Sequence, residues 1–238
     1  MISTFDFNGH NSKEFNMYIN AEINISSSQP DYSTIEVPGR DGDLVLPNNR
    51  YKSFSQTVPV IFLGRYKDTM SKIEQVRRWL LSDTEFHDFN LSSDSGYTYR
   101  AAYLDNFEVK KTADGLNADL NFEMMPYKYL NSGLDSQTIS SGTTLTNSGN
   151  IPALPLLKIT GSGDIKVTLG NQTISLKGID TGIILDCESQ LCTSLDGTRT
   201  QFDKLYSDFP RLSVGNTKIS WSGTVSKFEI TPRWKVRT

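Results

Sequence analysis

Alternation of apolar and polar side chains is the commonest pattern along the first half of this chain. It occurs in FDF (residues 5–7), FNMYINAEINI (15–25) and QTVPVIFLG (56–64), and a period of two predicts half-buried β-strands. Two further runs, residues 96–111 and 116–127, flank a strong turn signal at Asp114-Gly115. We therefore expect an antiparallel sheet in the first half.

One stretch has a helical period instead. Its apolar residues recur at spacings of three and four, which predicts an amphipathic α-helix over about residues 69–82. They are Met70, Ile73, Val76, Trp79 and Leu80.

Polar residues suggest how this helix begins and what it faces. Asp68 or Ser71 can cap its start, and Ser71 with Glu74 matches a capping box. We expect its polar side to be solvated or to face another subunit rather than to bind nucleic acid. That side carries Lys72, Gln75, Arg77 and Arg78.

The composition changes between residues 131 and 150, where Ser, Thr, Gly and Asn predominate. This change predicts a boundary between a domain of residues 1–133 and a domain of residues 134–238. The second half then consists of short apolar runs separated by turns, including Gly170-Asn171, and this spacing is typical of a β-sandwich. The expected fold class is mainly β, with one α-helix.

Composition narrows the classes of function. The 238 residues are 37% hydrophobic and carry a net charge of -3, so packed cores are expected, and binding to nucleic acid phosphates is not. No apolar run approaches the roughly 20 residues of a membrane span, and the first residues lack a secretory signal pattern. We expect Cys187 and Cys192 to be buried thiols, with a disulfide or half of a metal site as the alternatives.

Candidates for catalysis are few. His10 and His87 are the only histidines, and no nucleophile motif accompanies them. Asp186 and Glu188 lie two positions apart, so in an extended strand they share one face and cannot flank a sugar as a glycosidase requires. We expect neither enzymatic activity nor a cofactor.

The segment VPGRDGDLVL (37–46) raises the question of a ligand loop. Its acidic residues lack the EF-hand spacing, and it lacks the Gly-Lys-Ser/Thr ending of a phosphate loop. Pro38-Gly39 fits a type II turn and Asp41-Gly42 a second turn, which predicts a hairpin turn. The candidate turn and interface residues are Val37, Pro38, Gly39, Arg40, Asp41, Gly42 and Asp43.

Sugar binding is an alternative function for the second half. Trp221 is a candidate for stacking on a sugar ring, as in a glycan-binding module that contributes to adsorption on a host cell wall. Trp221 shares its strand face with Ile219, which favours a position in the core.

Motifs spread over nearly the whole chain resemble those of the distal tail protein (Dit) family of long, non-contractile phage tails that infect Gram-positive bacteria. In the first half they are FNGHNS (7–12), VPGRDGDL (37–44), IEQVRRWL (73–80) and PYKYL (126–130). In the second half they are ITGSGDIKVTL (159–169), GIILDCES (182–189), FPRLSVGNTKISWSG (209–223) and ITPRW (230–234). No long insertion interrupts the second half, so the additional sugar-binding modules of larger relatives are not expected.

The resemblance implies a fold and an assembly. The fold is an N-terminal β-sandwich with a helix and a projecting β-hairpin, followed by a galectin-like or carbohydrate-module-like β-sandwich, whose last strand can return to the N-terminal domain. Six copies are expected to form a ring, in isolation also two rings back to back, through which DNA passes without stable binding.

The resemblance also implies partners and a location. The ring docks on the tail tube protein on one side and on the tail-associated or tail-fibre protein on the other, and receptor-binding proteins attach outside. The expected location is the tail tip of a virion, assembled in the host cytoplasm and encoded by a phage or a prophage. Residues 37–43 would then contact the next copy, with Arg40 paired to a carboxylate across the ring.

Overall fold

The computed structural model describes residues 3–20, 23–112 and 115–238. One α-helix, α1 (Tyr66–Leu80), and three short 3-10 helices (Ser12–Phe15, Asn131–Gly133, Phe202–Lys204) accompany the strands. The strands are β1 (Phe5–Phe7), β2 (His10–Asn11), β3 (Met17–Ile19), β4 (Pro30–Ile35), β5 (Leu44–Tyr51), β6 (Phe54–Phe62), β7 (His87–Leu91), β8 (Tyr97–Tyr103), β9 (Lys110–Thr112), β10 (Gly115–Leu130), β11 (Gln137–Thr138), β12 (Thr144–Asn147), β13 (Leu156–Leu169), β14 (Gln172–Ile179), β15 (Gly182–Asp186), β16 (Leu191–Thr193), β17 (Gly215–Thr231) and β18 (Lys235–Arg237).

The chain divides into two compact units. Unit 1 contains residues 1–128 together with Arg237 and Thr238, and unit 2 contains residues 129–236. Each unit has its own hydrophobic core. The expected fold class, mainly β with one helix and a separate hairpin, is confirmed. The galectin-like character of the second half stays a prediction.

A nine-stranded sheet encloses the core of unit 1. Its main order is β2-β1-β7-β8-β10-β6-β3, with β9 and β18 also paired to β10. A tight turn joins β1 to β2, where Asn8 and Gly9 have positive φ angles of 45° and 76°. The turn predicted at Asp114-Gly115 involves residue 114, which lies outside the described residues.

Aromatic side chains fill this core and hold the helix to the sheet. The Trp79 ring stacks on Phe15 at a centroid distance of 4.8 Å and on Phe5 at 5.9 Å. Its indole N–H donates to the carbonyl of Phe7 at 2.9 Å, so the polar atom of this buried ring is satisfied. Trp79 therefore fixes α1 against β1.

The helix differs from its prediction at both ends and in its cap. It begins after Arg65, three residues early, and no side chain caps it. The predicted capping box is wrong, because the Ser71 hydroxyl donates to the carbonyl of Asp68 inside the first turns. A capping box does form at the short 3-10 helix, with Asn11 as the N-cap and Glu14 as the third helical residue, and the N-x-x-E spacing of these two residues is its sequence signal.

The strand expected over residues 15–25 is observed only at Met17–Ile19, and the prediction is wrong for residues 23–25, which lie in no strand; residues 21 and 22 lie outside the described residues. Ile25 is 71% exposed. The buried side-chain amide of Gln56 replaces the missing strand partner, since it donates to the Asn24 carbonyl at 2.9 Å and accepts from the Ser26 amide at 3.0 Å. Alternation alone cannot reveal such a side-chain partner.

Unit 2 is built on two long strands rather than many short ones. Two of the apolar runs of the second half, at residues 154–161 and 164–170, contribute to one continuous 14-residue strand, β13. It pairs with the 17-residue β17, and the register shifts at Gly161 and between Ser162 and Lys166 let the pair bend. The two-residue turn predicted at Gly170-Asn171 joins β13 to β14.

In the part of the chain that the structure describes, no helix has both the length and the apolar character that a membrane span requires.

Candidate assembly surface

Strands β4 and β5 form a hairpin: among the described residues, each of the two strands pairs only with the other. Partners in register are Tyr32 with Pro47, Thr34 with Val45, and Ile35 with Leu44. Since side chains of opposite partners share a face and successive residues alternate, the hairpin has two faces. The hairpin is thus a two-stranded ribbon outside the main sheet of unit 1.

Both faces of this ribbon expose apolar side chains. One face carries Ile35 and Leu44, which are 46% and 38% exposed, and the other carries Tyr32 and Val45, which are 54% and 57% exposed. A two-stranded hairpin is marginally stable in water, and a contiguous exposed apolar surface usually marks an interaction site. The hairpin is the strongest candidate for a contact surface in the described chain.

The tip of the hairpin has the turn geometry that the sequence predicts. The Arg40 amide donates to the Val37 carbonyl at 3.1 Å, with Pro38 and Gly39 in the central positions. Gly39 has a φ angle of +82°, which the third position of a type II turn requires. Gly42 has a φ angle of +78°, in agreement with the second turn signal.

The charges at this tip have no ion-pair partner among the described residues. Arg40, Asp41 and Asp43 are all exposed, and no oppositely charged side chain lies within ion-pair distance of them in that part of the chain. Their predicted role in contacts between copies stays a prediction.

A buried carboxylate anchors the root of the hairpin. β5 has two extra residues opposite Asp31, and this bulge places the Arg50 Nε atom 2.6 Å and the Lys52 Nζ atom 3.4 Å from its carboxylate oxygens. The hydrogen bond from Arg50 lowers the pKa of Asp31 below its usual value. Asp31 therefore stays ionised and ties the two strands together where the ribbon begins.

The last two residues also contact this root. The Thr238 carbonyl accepts from the Ser28 amide at 3.2 Å and from the Ser28 hydroxyl at 2.7 Å. The Arg237 guanidinium lies 3.8 Å from the centroid of the Tyr51 ring, a cation-π contact. Nothing in the local sequence pattern predicts contacts between residues 210 positions apart.

Asp186 and Glu188, the acidic pair considered for a glycosidase role and judged unsuitable, form an ion network. Arg233 donates to both carboxylate oxygens of Asp186, at 2.6 and 3.2 Å. Glu188 accepts from Lys235 and from the Tyr129 hydroxyl, both at 2.6 Å. Each carboxylate is paired with a cation, so the arrangement fits a structural role at the end of β15.

Burial and neighbouring cations act in opposite directions on these two acids. Burial raises the pKa of Asp186, but hydrogen bonding and charge from Arg233 outweigh it, so the pKa lies below its usual value. Burial likewise raises the pKa of Glu188 and is the largest single effect, but the charge and hydrogen bond of Lys235, the hydrogen bond from Tyr129 and the charge of Arg233 together outweigh it, so this pKa also lies below its usual value. Both acids are therefore ionised at neutral pH.

The histidines bind neighbouring carboxylates. His10 Nδ1 lies 2.9 Å from Glu14, and His87 Nε2 lies 2.7 Å from Asp83. Among the described residues, no group of three or more His, Cys, Asp or Glu side chains could hold a metal ion.

Both cysteines are free and buried. Burial raises the pKa of Cys187 to about 12 and that of Cys192 to about 11. The Cys192 thiol also donates to the Gln201 carbonyl at 3.2 Å. These thiols have the character of small apolar core residues.

We expect both thiols to resist alkylation in the folded protein. At pH 8 a thiol with a pKa of about 11 is roughly a hundredfold less ionised than an exposed cysteine, and only the thiolate reacts. Mass spectrometry after iodoacetamide treatment should show unmodified native protein and two modifications after denaturation with guanidinium. Rapid labelling of the native protein would contradict the buried positions.

Trp221 is half-buried in unit 2. Its ring stacks on Phe228 at a centroid distance of 4.8 Å and an interplanar angle of 8°, and it packs against the unit 2 core. Phe228 thus occupies one face of the indole. Glycan stacking at Trp221 stays a prediction.

Comparison with solved structures identifies the fold. SPP1 Dit, a paradigm of the hub adsorption apparatus in phages that infect Gram-positive bacteria, matches with a TM-score of 0.73 at 17% identity, over 97% of this chain and 98% of that chain. The chain has the Dit fold. A chain of the phage p2 baseplate, in its activated conformation with Sr, matches with a TM-score of 0.51 at 11% identity, over 96% and 97% of the two chains. No family model and no curated protein matches the sequence.

The match to the Dit fold extends over nearly the whole chain. Because the match covers 97% of this chain, it includes both units and the hairpin rather than one common β-sandwich. At 17% identity the likeness shows the fold, and function has to be argued from the surfaces of this chain.

Proposed function

We propose that this protein is a distal tail protein, a non-enzymatic structural component of a phage tail tip. Six copies assemble through unit 1 into a ring, and the hairpin of residues 30–51 holds one copy to the next. The observation that carries the proposal is the Dit fold over the full chain, with a TM-score of 0.73 to a hub protein.

The hairpin supports self-association independently of the fold. It exposes apolar side chains on both faces and charged residues without ion partners at its tip, within the described chain. Such a ribbon gains stability when another surface covers it. A symmetric homo-oligomer supplies that cover from identical copies.

The proposed ring joins three kinds of partner. One side docks on the tail tube protein and the other on the tail-associated or tail-fibre protein, and receptor-binding proteins attach to the periphery. DNA passes through the centre during ejection, and a chain with a net charge of -3 suits a conduit that must not bind it.

Light scattering and negative-stain electron microscopy of the purified protein test this proposal. We expect a closed ring of six copies whose fraction rises with concentration. A protein that stays monomeric at the highest attainable concentration, also when its tail partners are added, contradicts it.

Reversing the charge of Arg40 tests the predicted contact at the tip. We expect Arg40→Glu to weaken the oligomer several-fold, because the side chain would then repel the carboxylate that it faces across the ring. The monomer should keep its melting temperature, since Arg40 is exposed. Rings of wild-type stability in analytical ultracentrifugation would rule this pairing out.

A further inference from the structure

We infer that the acidic tip of the hairpin binds the basic outer face of helix α1 on a neighbouring copy. This contact rests on the proposed function, and it names the surface that receives the hairpin. Here the tip means residues 36–43, and the outer face means the exposed side of residues 65–78.

The tip carries an excess of negative charge. Glu36, Asp41 and Asp43 are acidic and Arg40 is basic, so the net charge of these eight residues is -2. All four side chains are exposed, and none has an ion partner among the described residues. A net negative charge at the end of a protruding ribbon favours a partner of net positive charge.

The helix carries an excess of positive charge. Residues 65–78 contain five basic side chains and two acidic ones, so their net charge is +3. Arg77 is paired with Glu74 at 2.6 Å, and Lys72 donates to the Glu14 carbonyl at 2.9 Å. The basic residues that keep no such partner in the described chain are Arg65, Lys67 and Arg78.

The helical repeat places two of these cations on one stripe. Lys67 and Arg78 are eleven positions apart, which is about three turns, so they point the same way with about 16 Å between them. The opposite side of the helix is buried in the unit 1 core through Val76, Trp79 and Leu80. The stripe of Lys67 and Arg78 is thus the outermost line of α1.

Apolar side chains accompany the charges on both surfaces. Met70 on the helix is 44% exposed, and Leu63 and Leu81 beyond its two ends are 39% and 47% exposed. On the tip side, Val37 and Leu44 are 39% and 38% exposed. Both surfaces therefore combine apolar contact area with complementary charge, which is the composition of a protein interface.

The contact also has the geometry that a ring needs. Because the tip and the helix are different surfaces of the same chain, each copy contributes its tip to one neighbour and its helix to the other, and head-to-tail contacts of this type build a ring when the rotation between copies closes. Asp68, which is exposed on the same helix, is available as the carboxylate for Arg40.

Two charge-reversal variants test the contact. In the tip variant, Asp41→Lys and Asp43→Lys make the tip basic, and in the helix variant, Lys67→Glu and Arg78→Glu make the outer face acidic. Each variant alone places like charges at every contact, so we expect its assembly to weaken at least about tenfold at low salt. An equal mixture should recover assembly, because every contact in an alternating ring pairs opposite charges.

The controls reverse the same number of charges elsewhere. Asp135→Lys with Asp208→Lys and, separately, Lys166→Glu with Lys218→Glu change exposed residues of unit 2. Neither control should weaken assembly, and a mixture of the two should behave as each does alone. Circular dichroism checks that all four variants are folded.

The outcomes separate this inference from the proposed function. If the tip and helix variants assemble like the wild type while replacement of residues 32–49 by a short glycine-rich linker prevents assembly, the hairpin holds the ring but the helix contact is wrong. If both variants are impaired and their mixture is not rescued, the specific pairing is also wrong. A wild-type protein that never assembles, or a hairpin-truncated one that does, overturns the proposed role of the hairpin itself.

Discussion

Assembly is expected to weaken about thirtyfold at each contact between copies when Ile35 and Leu44 are both replaced by serine. These side chains lie opposite each other on one face of the hairpin and are 46% and 38% exposed. Covering the exposed part of two such side chains contributes about 2 kcal/mol, and the double substitution removes it. Sedimentation velocity over a concentration series measures the change.

The second face of the hairpin provides an independent test. Tyr32→Ser with Val45→Ser removes apolar side chains that are 54% and 57% exposed on that face. If neighbouring copies cover both faces, both double variants lose assembly; if they cover one face, only one variant does. In either case the monomer should keep its melting temperature, because none of the four residues belongs to the unit 1 core.

Exposed apolar residues outside the hairpin give the matched control. Leu191 and Val214 of unit 2 are 48% and 51% exposed, so Leu191→Ser with Val214→Ser removes a similar apolar area. This control should assemble like the wild type. If the double variant Ile35→Ser with Leu44→Ser forms rings at the same protein concentrations as the wild type, this face of the hairpin is not a contact surface.

Local patterns predicted what depends on local contacts. The helix followed from apolar residues at spacings of three and four, because that repeat brings Val76, Trp79 and Leu80 to one buried side. The turn at Pro38-Gly39 followed from the positive φ that glycine permits. Both features are present, the turn at the predicted residues and the helix with its ends shifted by two to three residues.

Features that depend on distant residues were not predicted. The Gln56 amide replaces a strand partner for residues 24–26, and the Thr238 carbonyl binds Ser28. Neither contact has a local repeat or turn signal, since each joins segments that are far apart along the chain. The helix start was missed for a related reason: no side chain caps it, so no capping residue marks it.

The hairpin shows why a contact surface is hard to recognise from alternation alone. A strand that packs against its own chain and a strand that packs against another copy have the same pattern of apolar residues. The distinction needs the observed exposure, which is 57% at Val45 but 0% at Val58 in β6, a strand paired on both sides. The turn residues could be predicted from the sequence, whereas the exposure of apolar side chains on both faces of the hairpin could not.

The largest loss of stability is expected from Glu188→Ala. Lys235 is 4% exposed, and its ammonium lies 2.6 Å from the Glu188 carboxylate, which also accepts from Tyr129 and lies 3.6 Å from Arg233. The substitution leaves a buried ammonium without that carboxylate, at a cost of about 3–5 kcal/mol. For a chain of this size the melting temperature should fall by about 6–20 °C in differential scanning calorimetry.

An exposed ion pair in the same unit serves as the matched control. Glu229 lies 2.8 Å from Lys227, whose side chain is 51% exposed, and Glu229→Ala should cost far less stability than Glu188→Ala because water screens an exposed pair. The double variant Glu188→Ala with Lys235→Met should regain much of the lost stability, because it removes the buried cation together with its partner.

The pH dependence of the same variant separates charge from packing. The pKa of Glu188 is lower in the folded protein than its usual value, so its ionisation stabilises the fold fully above about pH 5, and this stabilisation is lost as the pH falls through the folded pKa. The difference in the free energy of unfolding between wild type and Glu188→Ala should therefore shrink below about pH 4. A difference that stays constant down to pH 2.5, or a loss no larger than that of Glu229→Ala, would mean that the ion network does not stabilise unit 2 through its charges.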